Sequence, residues 1–278
     1  MVKLSIITIN YNNAEGLQKT MGSVITQTYR DFEYIVVDGG STDNSCQVLK
    51  DTCQLVSDQT SFKGKAEVNG IVVRWISEND SGIYNAMNKG IGLASGEYCL
   101  FLNSGDCLAG DNVLQVVFDG SYDEDIVYGN AVKIKPHYRR LIRYSPVLTL
   151  YDFYRTVAAI HHQACFIKRE LFQKYGMYRE DLEINADWEF FFRVIILEKV
   201  KTKYTDKVIC IADGTGLSNT LKKGHSLSLQ ASDAKEKILK TYFPEYILAD
   251  YKKLDELLTR TSIMGRICRK MEYFRLRK

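Results

Sequence analysis

A chain of 278 residues suits one large α/β domain, or a domain with an appendage. Its 45% hydrophobic and 26% charged residues are ordinary globular usage, which excludes a disordered or fibrous chain. The net charge of +3 is unevenly spread: residues 251–278 hold nine Lys/Arg against three Asp/Glu, a local +6 that leaves −3 for the first 250, so the folded part is no basic nucleic-acid surface.

Residues 3–9 form a β-branched apolar run stopped by Asn10, Tyr11, Asn12 and Asn13, the pattern of a buried strand ending in a polar loop. Leu17, Met21, Val24 and Ile25 recur at helical spacing and predict a helix over 14–27. Phe32 to Val37 then form a second apolar run, stopped by Asp38-Gly39-Gly40-Ser41. Strand, helix, strand with polar stops predicts a βαβ unit, whose ligands lie at the carboxyl ends of its strands. The rhythm continues with a helix from about Asp43, a strand near 71–77, a helix over 82–94 and a strand over 98–102. The polar stretch 54–70 reads as an exposed excursion.

From about Ile126 the pattern loosens into a strand over 126–132, a basic hairpin-like segment from Pro136 to Arg143 and an apolar run at 165–167. A helix over 187–199 and a strand over 208–212 follow, predicting a mixed second half. Past Ala231 helical periodicity runs to the end. There Leu254, Leu257, Leu258, Met264, Ile267, Met271, Phe274 and Leu276 alternate with Lys and Arg, which suits an anionic membrane interface or a helix packed on its own domain. Seven Cys at irregular spacing, without CxxC, fit reduced thiols. No secretory leader and no spanning run of ~20 apolar residues is expected.

Two carboxylates close strands: Asp38 after the second, and Asp106 just past the fourth, in Phe-Leu-Asn-Ser-Gly-Asp. In a parallel sheet these ends lie side by side, where one carboxylate can accept from a ribose or base and another can bind a divalent cation bridging a diphosphate. Asp and Asn are also common turn formers after strands.

The segments SIITINYN, VVDGGSTDNS and GIYNAMNKGIGLASGEYCLFLNSGD resemble, in order and spacing over most of residues 4–106, the nucleotide-binding half of family 2 glycosyltransferases. That resemblance implies a GT-A fold, an α/β domain with a mixed sheet over 1–230, to which the periodicity and charge past Ala231 add a basic amphipathic helical tail over 231–278. Residues 1–106 would bind the nucleotide sugar and 107–230 the acceptor. It implies Thr8, Tyr11 and Asp38 as nucleotide contacts with Asp80 and Asn88 nearby, and Asp106 as the ligand of Mn²⁺ or Mg²⁺. Two departures stand out: the family's usual Ala-Arg-Asn reads Ala86-Met87-Asn88, and its Asp-x-Asp-Asp reads Asn103-Ser104-Gly105-Asp106. The combination resembles the branch that contains colanic-acid-type exopolysaccharide transferases.

In the second half, Ala186-Asp187 resembles the family's acidic acceptor-side motif and makes Asp187 the expected general base of an inverting transfer; a helix-start Asp can also serve the helix dipole alone. His162, in His161-His162-Gln163, is expected at the metal, the diphosphate or the acceptor, or in a structural role. Trp188 offers a face for an acceptor sugar or for the core. The function expected is transfer from a nucleoside diphosphate sugar, UDP by family frequency, to a glycan or lipid-linked acceptor. Such an enzyme would be cytoplasmic and peripheral to the inner membrane face. The alternatives are a sugar nucleotidyltransferase, which wants a Gly-rich basic first loop, and an inactive nucleotide- or glycan-binding homologue. A dinucleotide-binding protein would need GxGxxG, which is missing.

Overall fold

A computed structural model describes residues 2–54, 63–120, 122–156, 159–214 and 227–258. The first half follows the predicted rhythm: β1 (Leu4–Asn10), α1 (Ala14–Ile25), β2 (Phe32–Asp38), α2 (Ser45–Thr52), β3 (Lys63–Val68), β4 (Ile71–Ser77), α3 (Ile83–Leu93) and β5 (Tyr98–Phe101). β1, β2 and β5 are buried along their whole length, as expected of parallel strands covered on both faces. β1 runs parallel to both β2 and β5, and β2 parallel to β4. Asn10 pairs with Asp38 and Asp38 with Ser77, so the polar stops of three strands are level with one another.

β3 corrects the expectation of an excursion over 54–70, of which 55–62 lie outside the described residues. Residues 63–68 pair antiparallel with β4 at the sheet edge. The signal was Asn69-Gly70, both with positive φ, the residue pair that a two-residue hairpin requires.

The second half comprises β6 (Cys107–Leu108), α4 (Val113–Phe118), β7 (Ile126–Lys135), β8 (Tyr138–Ile142), α5 (Leu150–Arg155), a 3₁₀ turn (His162–Ala164), β9 (Cys165–Lys168), α6 (Glu170–Tyr175), α7 (Ala186–Phe191) and β10 (Thr202–Asp213). The sheet runs β3-β4-β2-β1-β5-β9-β7-β10-β6, with β8 paired to β7. β9 is antiparallel to both β5 and β7, which joins the two halves into one mixed sheet.

α7 continues over Phe192–Leu197 as a wider π-helical turn, within the predicted helix. α8 (Leu227–Tyr242) and α9, over 245–258, follow. They do not stand apart from residue 231 on. Ile238 and Leu239 are buried, Tyr242 donates to Glu189 at 2.6 Å, Tyr151 donates to Asp255 at 2.8 Å, and Tyr251 packs on Tyr154. The expected membrane-facing residues Met264, Ile267, Met271, Phe274 and Leu276 lie outside the described residues, whereas Leu254 is 42% exposed at the end of α9. The six described Cys are free, and no described helix is long and apolar enough to cross a membrane.

Candidate active site

At the level ends of β1, β2 and β4 the polar stops bond to one another. Asp38 is fully buried. Its Oδ1 accepts from Asn10 Nδ2 at 2.7 Å and Ser41 Oγ at 2.5 Å, and its Oδ2 from Ser41 N at 2.9 Å and Ser77 Oγ at 2.7 Å. Four donors satisfy this carboxylate within the protein, so it shapes the 38–41 loop from below. Thr8 is likewise fully buried, its hydroxyl accepting from Tyr34 at 2.9 Å. The open surface is made by Tyr11, 63% exposed, and Asp80. A Cβ on Gly39 would sit 2.5 Å from Asp80 Oδ2 and 3.3 Å from the Tyr11 ring, so glycine lets backbone, ring and carboxylate converge without displacing the Asp80 side chain. Asn88 is occupied elsewhere, because it donates to Tyr178 O and Glu180 Oε1 and accepts from Tyr178 N, clamping the 178–180 segment to α3.

Past β5, Asn103 to Asp106 fold into a turn in which Asp106 N donates to Asn103 O and Gly105 takes a φ of +103°, a conformation that favours glycine. α1 braces this turn. The Thr20 hydroxyl accepts from Gly105 N at 2.9 Å and donates to Asp106 O at 2.7 Å, Lys19 donates to Gly105 O, and Asn13 to Ser104 O.

Asp106 is thereby held buried, 5% exposed, with Oδ1 accepting from Asp213 N at 2.7 Å and Oδ2 from Gln163 Nε2 at 3.1 Å. Burial raises its carboxyl to about 6, against the lowering effect of those hydrogen bonds and of His162; the Asp213 carboxylate adds to the rise. Two amide oxygens beside it, Asn103 Oδ1 and Gln163 Oε1, are buried without a hydrogen-bond partner. A buried carboxylate and two orphaned amide oxygens on neighbouring residues are hard oxygen donors, the chemistry that suits a divalent cation. No cluster of three His, Cys, Asp or Glu forms a ready cage among the described residues.

On the acceptor side, Asn185 in the left-handed region turns the chain into α7 and sets Asp187 in its first turn. Asp187 Oδ2 accepts from His162 Nδ1 at 2.8 Å and Oδ1 from Tyr84 at 3.1 Å. Burial pushes this carboxyl up, but the hydrogen bond and charge of His162, then the Tyr84 hydroxyl and the Trp188 N–H, outweigh it and hold the group below its ordinary value. The side chain keeps 24% exposure, and the three donors His162, Tyr84 and Trp188 N leave one lone-pair site of the carboxylate to accept a proton.

The structure therefore ties His162 to the expected base. The ring's other nitrogen lies 3.4 Å from Asn103 Nδ2, bridging the acceptor side to the Asn103–Asp106 turn. His161 lies half-buried against the Tyr144 hydroxyl, and loss of solvent around the ring lowers it to about 4, so it is neutral at physiological pH. Trp188 corrects the acceptor expectation. It is 3% exposed, stacked on Phe192 at 5.3 Å and edge-on to Phe153, which leaves no ring face for a sugar. Asp213, Tyr84, Asn103 and Gln163 were missed from sequence. Asp213-Gly214 closes β10 as Asp38-Gly39 closes β2 and carried the same signal.

Residues 5–181 match the family described as Glycosyl transferase family 2. The chain is 32% identical over 221 residues, 78% of this chain and 79% of the relative, to a PGL/p-HBAD biosynthesis glycosyltransferase of Mycobacterium tuberculosis. It is 34% identical over 221 residues, 78% of this chain and 77% of the relative, to an uncharacterized glycosyltransferase of the same species. Among solved structures it is similar to S. aureus TarS 1-349 in complex with UDP-GlcNAc, with TM-score 0.59 and 19% identity over 81% of this chain; it spans about 60% of that chain. The mannosyltransferase PcManGT of Pyrobaculum calidifontis, in complex with GDP-Man and Mn²⁺, gives TM-score 0.55 and 17% identity over 76% of this chain and 56% of that one. With its mixed sheet and these neighbours the fold is GT-A, and the chain belongs to glycosyl transferase family 2.

Proposed function

We propose that this chain is an inverting transferase that moves a sugar from a nucleoside diphosphate sugar, with UDP as the nucleotide, to a hydroxyl of a glycan or lipid-linked acceptor. It would act at the inner membrane face, in the manner of the exopolysaccharide-building branch it resembles. The observation that carries this reading is Asp187, an ionised, partly exposed carboxylate held between His162 and Tyr84 with a lone-pair site left to accept a proton. The acceptor hydroxyl gives its proton to Asp187 as its oxygen bonds to the anomeric carbon. The bond from that carbon to the diphosphate breaks on the opposite face, and its electron pair leaves with the diphosphate.

Tyr11, Gly39 and Asp80 form the surface offered to the nucleoside; Asp38 and Thr8 support it from beneath. UDP-GlcNAc in TarS and GDP-Man with Mn²⁺ in the mannosyltransferase support a nucleotide-sugar donor and a divalent metal. Asp106, with the amide oxygens of Asn103 and Gln163, would hold Mn²⁺ or Mg²⁺, whose charge would stabilise the leaving diphosphate.

Asp187→Asn should keep donor affinity and lower nucleoside diphosphate release with acceptor present by roughly 10²–10⁴. Near wild-type turnover in a folded variant would remove the base assignment. Thermal-shift titration with UDP-, GDP- and dTDP-sugars plus Mn²⁺ tests the donor: UDP-sugars should raise the melting temperature most.

A further inference from the structure

The hairpin of β7 and β8 is absorbed by none of the roles above. From Lys133 to Arg143 it carries Lys133, Lys135, His137, Arg139, Arg140 and Arg143 and no acidic residue. Residues 134–141 are exposed on both faces, so the ribbon projects from the sheet. Register places Lys133 opposite Arg140 and Lys135 opposite Tyr138, and alternation puts these four on one face. Like charges directly opposite each other weaken a ladder. Yet among the described residues no carboxylate pairs with any of the five Lys and Arg side chains.

The root of this ribbon lies at the candidate site. β10 pairs with β7 up to Asp213 opposite Ile134, and the stem of Lys135 packs over Gly214, where a Cβ would meet it at 2.5 Å. The half-buried Lys133 is lowered by burial and by Lys135, while the Asp106 charge acts on it in the opposite sense. An unneutralised basic face that begins beside the reacting centre and runs outward from the second half of the chain is complementary to an anion brought in with the acceptor.

We propose that the Lys133–Lys135–Arg140 face of the β7–β8 ribbon binds a phosphate or diphosphate group carried by the acceptor, which makes this a transferase for phosphorylated acceptors. The assignment rests on the transferase reading for the word acceptor, but its anion binding is measurable without turnover. Inorganic diphosphate is titrated in EDTA, so that no metal assists the donor side, and hydrogen exchange locates the bound anion. Wild type should show protection across 133–143. Lys135→Gln/Arg140→Gln, changed only at exposed positions, should keep its melting temperature, lose that protection and bind at least tenfold more weakly.

Hydrolysis of UDP-sugars without acceptor should stay within twofold in this variant. A wild-type protein inert toward every nucleotide sugar would count against the transferase reading alone, while the diphosphate titration would still decide the ribbon. Equal affinity in the two proteins, or protection confined to 38–41 and 103–106, would overturn the proposal. Protection by phosphatidylcholine vesicles with 30% phosphatidylglycerol, but not by diphosphate, would also overturn it and identify a membrane surface as the partner.

Discussion

Burial raises the Asp106 carboxyl to about 6 from an ordinary value of 3.8, so the folded state disfavours its ionised form. The sign follows: between about pH 4 and about pH 6 the folded chain binds more protons than the unfolded one. Stability falls as pH rises through that window, by roughly 3 kcal/mol for a shift of this size. Asp106→Asn should therefore raise the melting temperature at pH 7.5 and change it little near pH 4. The Gln163 amide can turn its orphaned oxygen toward the new amide to preserve the contact. The same variant should lose Mn²⁺-dependent donor binding in calorimetric titration. A variant less stable than wild type at pH 7.5 would contradict the argument. Asp187 carries the opposite sign, because His162 and Tyr84 hold it low. In His162→Gln the charge is gone, burial is less opposed, and the acidic limb of the kcat profile should move to higher pH. Tyr84→Phe should move it less. A uniform loss at every pH would leave His162 only a structural part.

At the scale of elements, the Asn103–Asp106 turn owes its shape to α1 as much as to its own residues. Thr20 is fully buried, and its single hydroxyl serves a backbone donor at Gly105 and a backbone acceptor at Asp106. Thr20→Val keeps the volume and strands Asp106 O, while Gly105 N keeps its bond to Gly16 O at 3.1 Å. The expected cost is about 1–3 kcal/mol, for one buried group left unpaired, and denaturant unfolding would measure it. Mn²⁺-dependent donor affinity should fall with it, since the turn that aims Asp106 loses its brace. A cost below about 1 kcal/mol would mean that water or a local shift satisfies the turn without α1. β3 belongs to this scale too: Lys and Glu on a short edge strand read as solvent-exposed loop, because an edge needs only one face and one neighbour to be a strand.

Over the whole molecule, the local +6 of the last 28 residues lies beyond the described helices. Residues 259–278 hold seven Lys/Arg against one Glu, while 251–258 are balanced and contact the domain through Tyr251 and Asp255. Two truncations should then separate packing from membrane binding. Ending the chain after Leu258 should spare the melting temperature and release the protein from anionic vesicles, each basic residue near such a surface contributing ~1 kcal/mol. Ending it after Asp250 should lower the melting temperature as well. Equal co-sedimentation of full-length and shortened protein would exclude the tail as an anchor.

How much was legible in advance depended on the distance along the chain over which each contact is made. β1, β2 and β5 could be read directly, since a strand buried on both faces must be largely apolar and its end must turn polar. Asp38, Asp106 and Asp187 were visible as carboxylates at such ends or at a helix start. Their states were not. Tyr84 meets Asp187 across 103 residues and Asp213 meets Asp106 across 107, and no local periodicity encodes which oxygens are filled. Trp188 shows the limit most clearly: its neighbour Asp187 reaches the site, but one step along α7 turns the indole into the core. Sequence alone determined the family, the parallel half of the sheet and which acids stand at its edge, because those follow from short-range patterning. Only the tertiary structure decided which carboxylate is buried and raised, which is held ionised, and which basic ribbon stands beside them, because burial and partners are set by segments that meet only after folding.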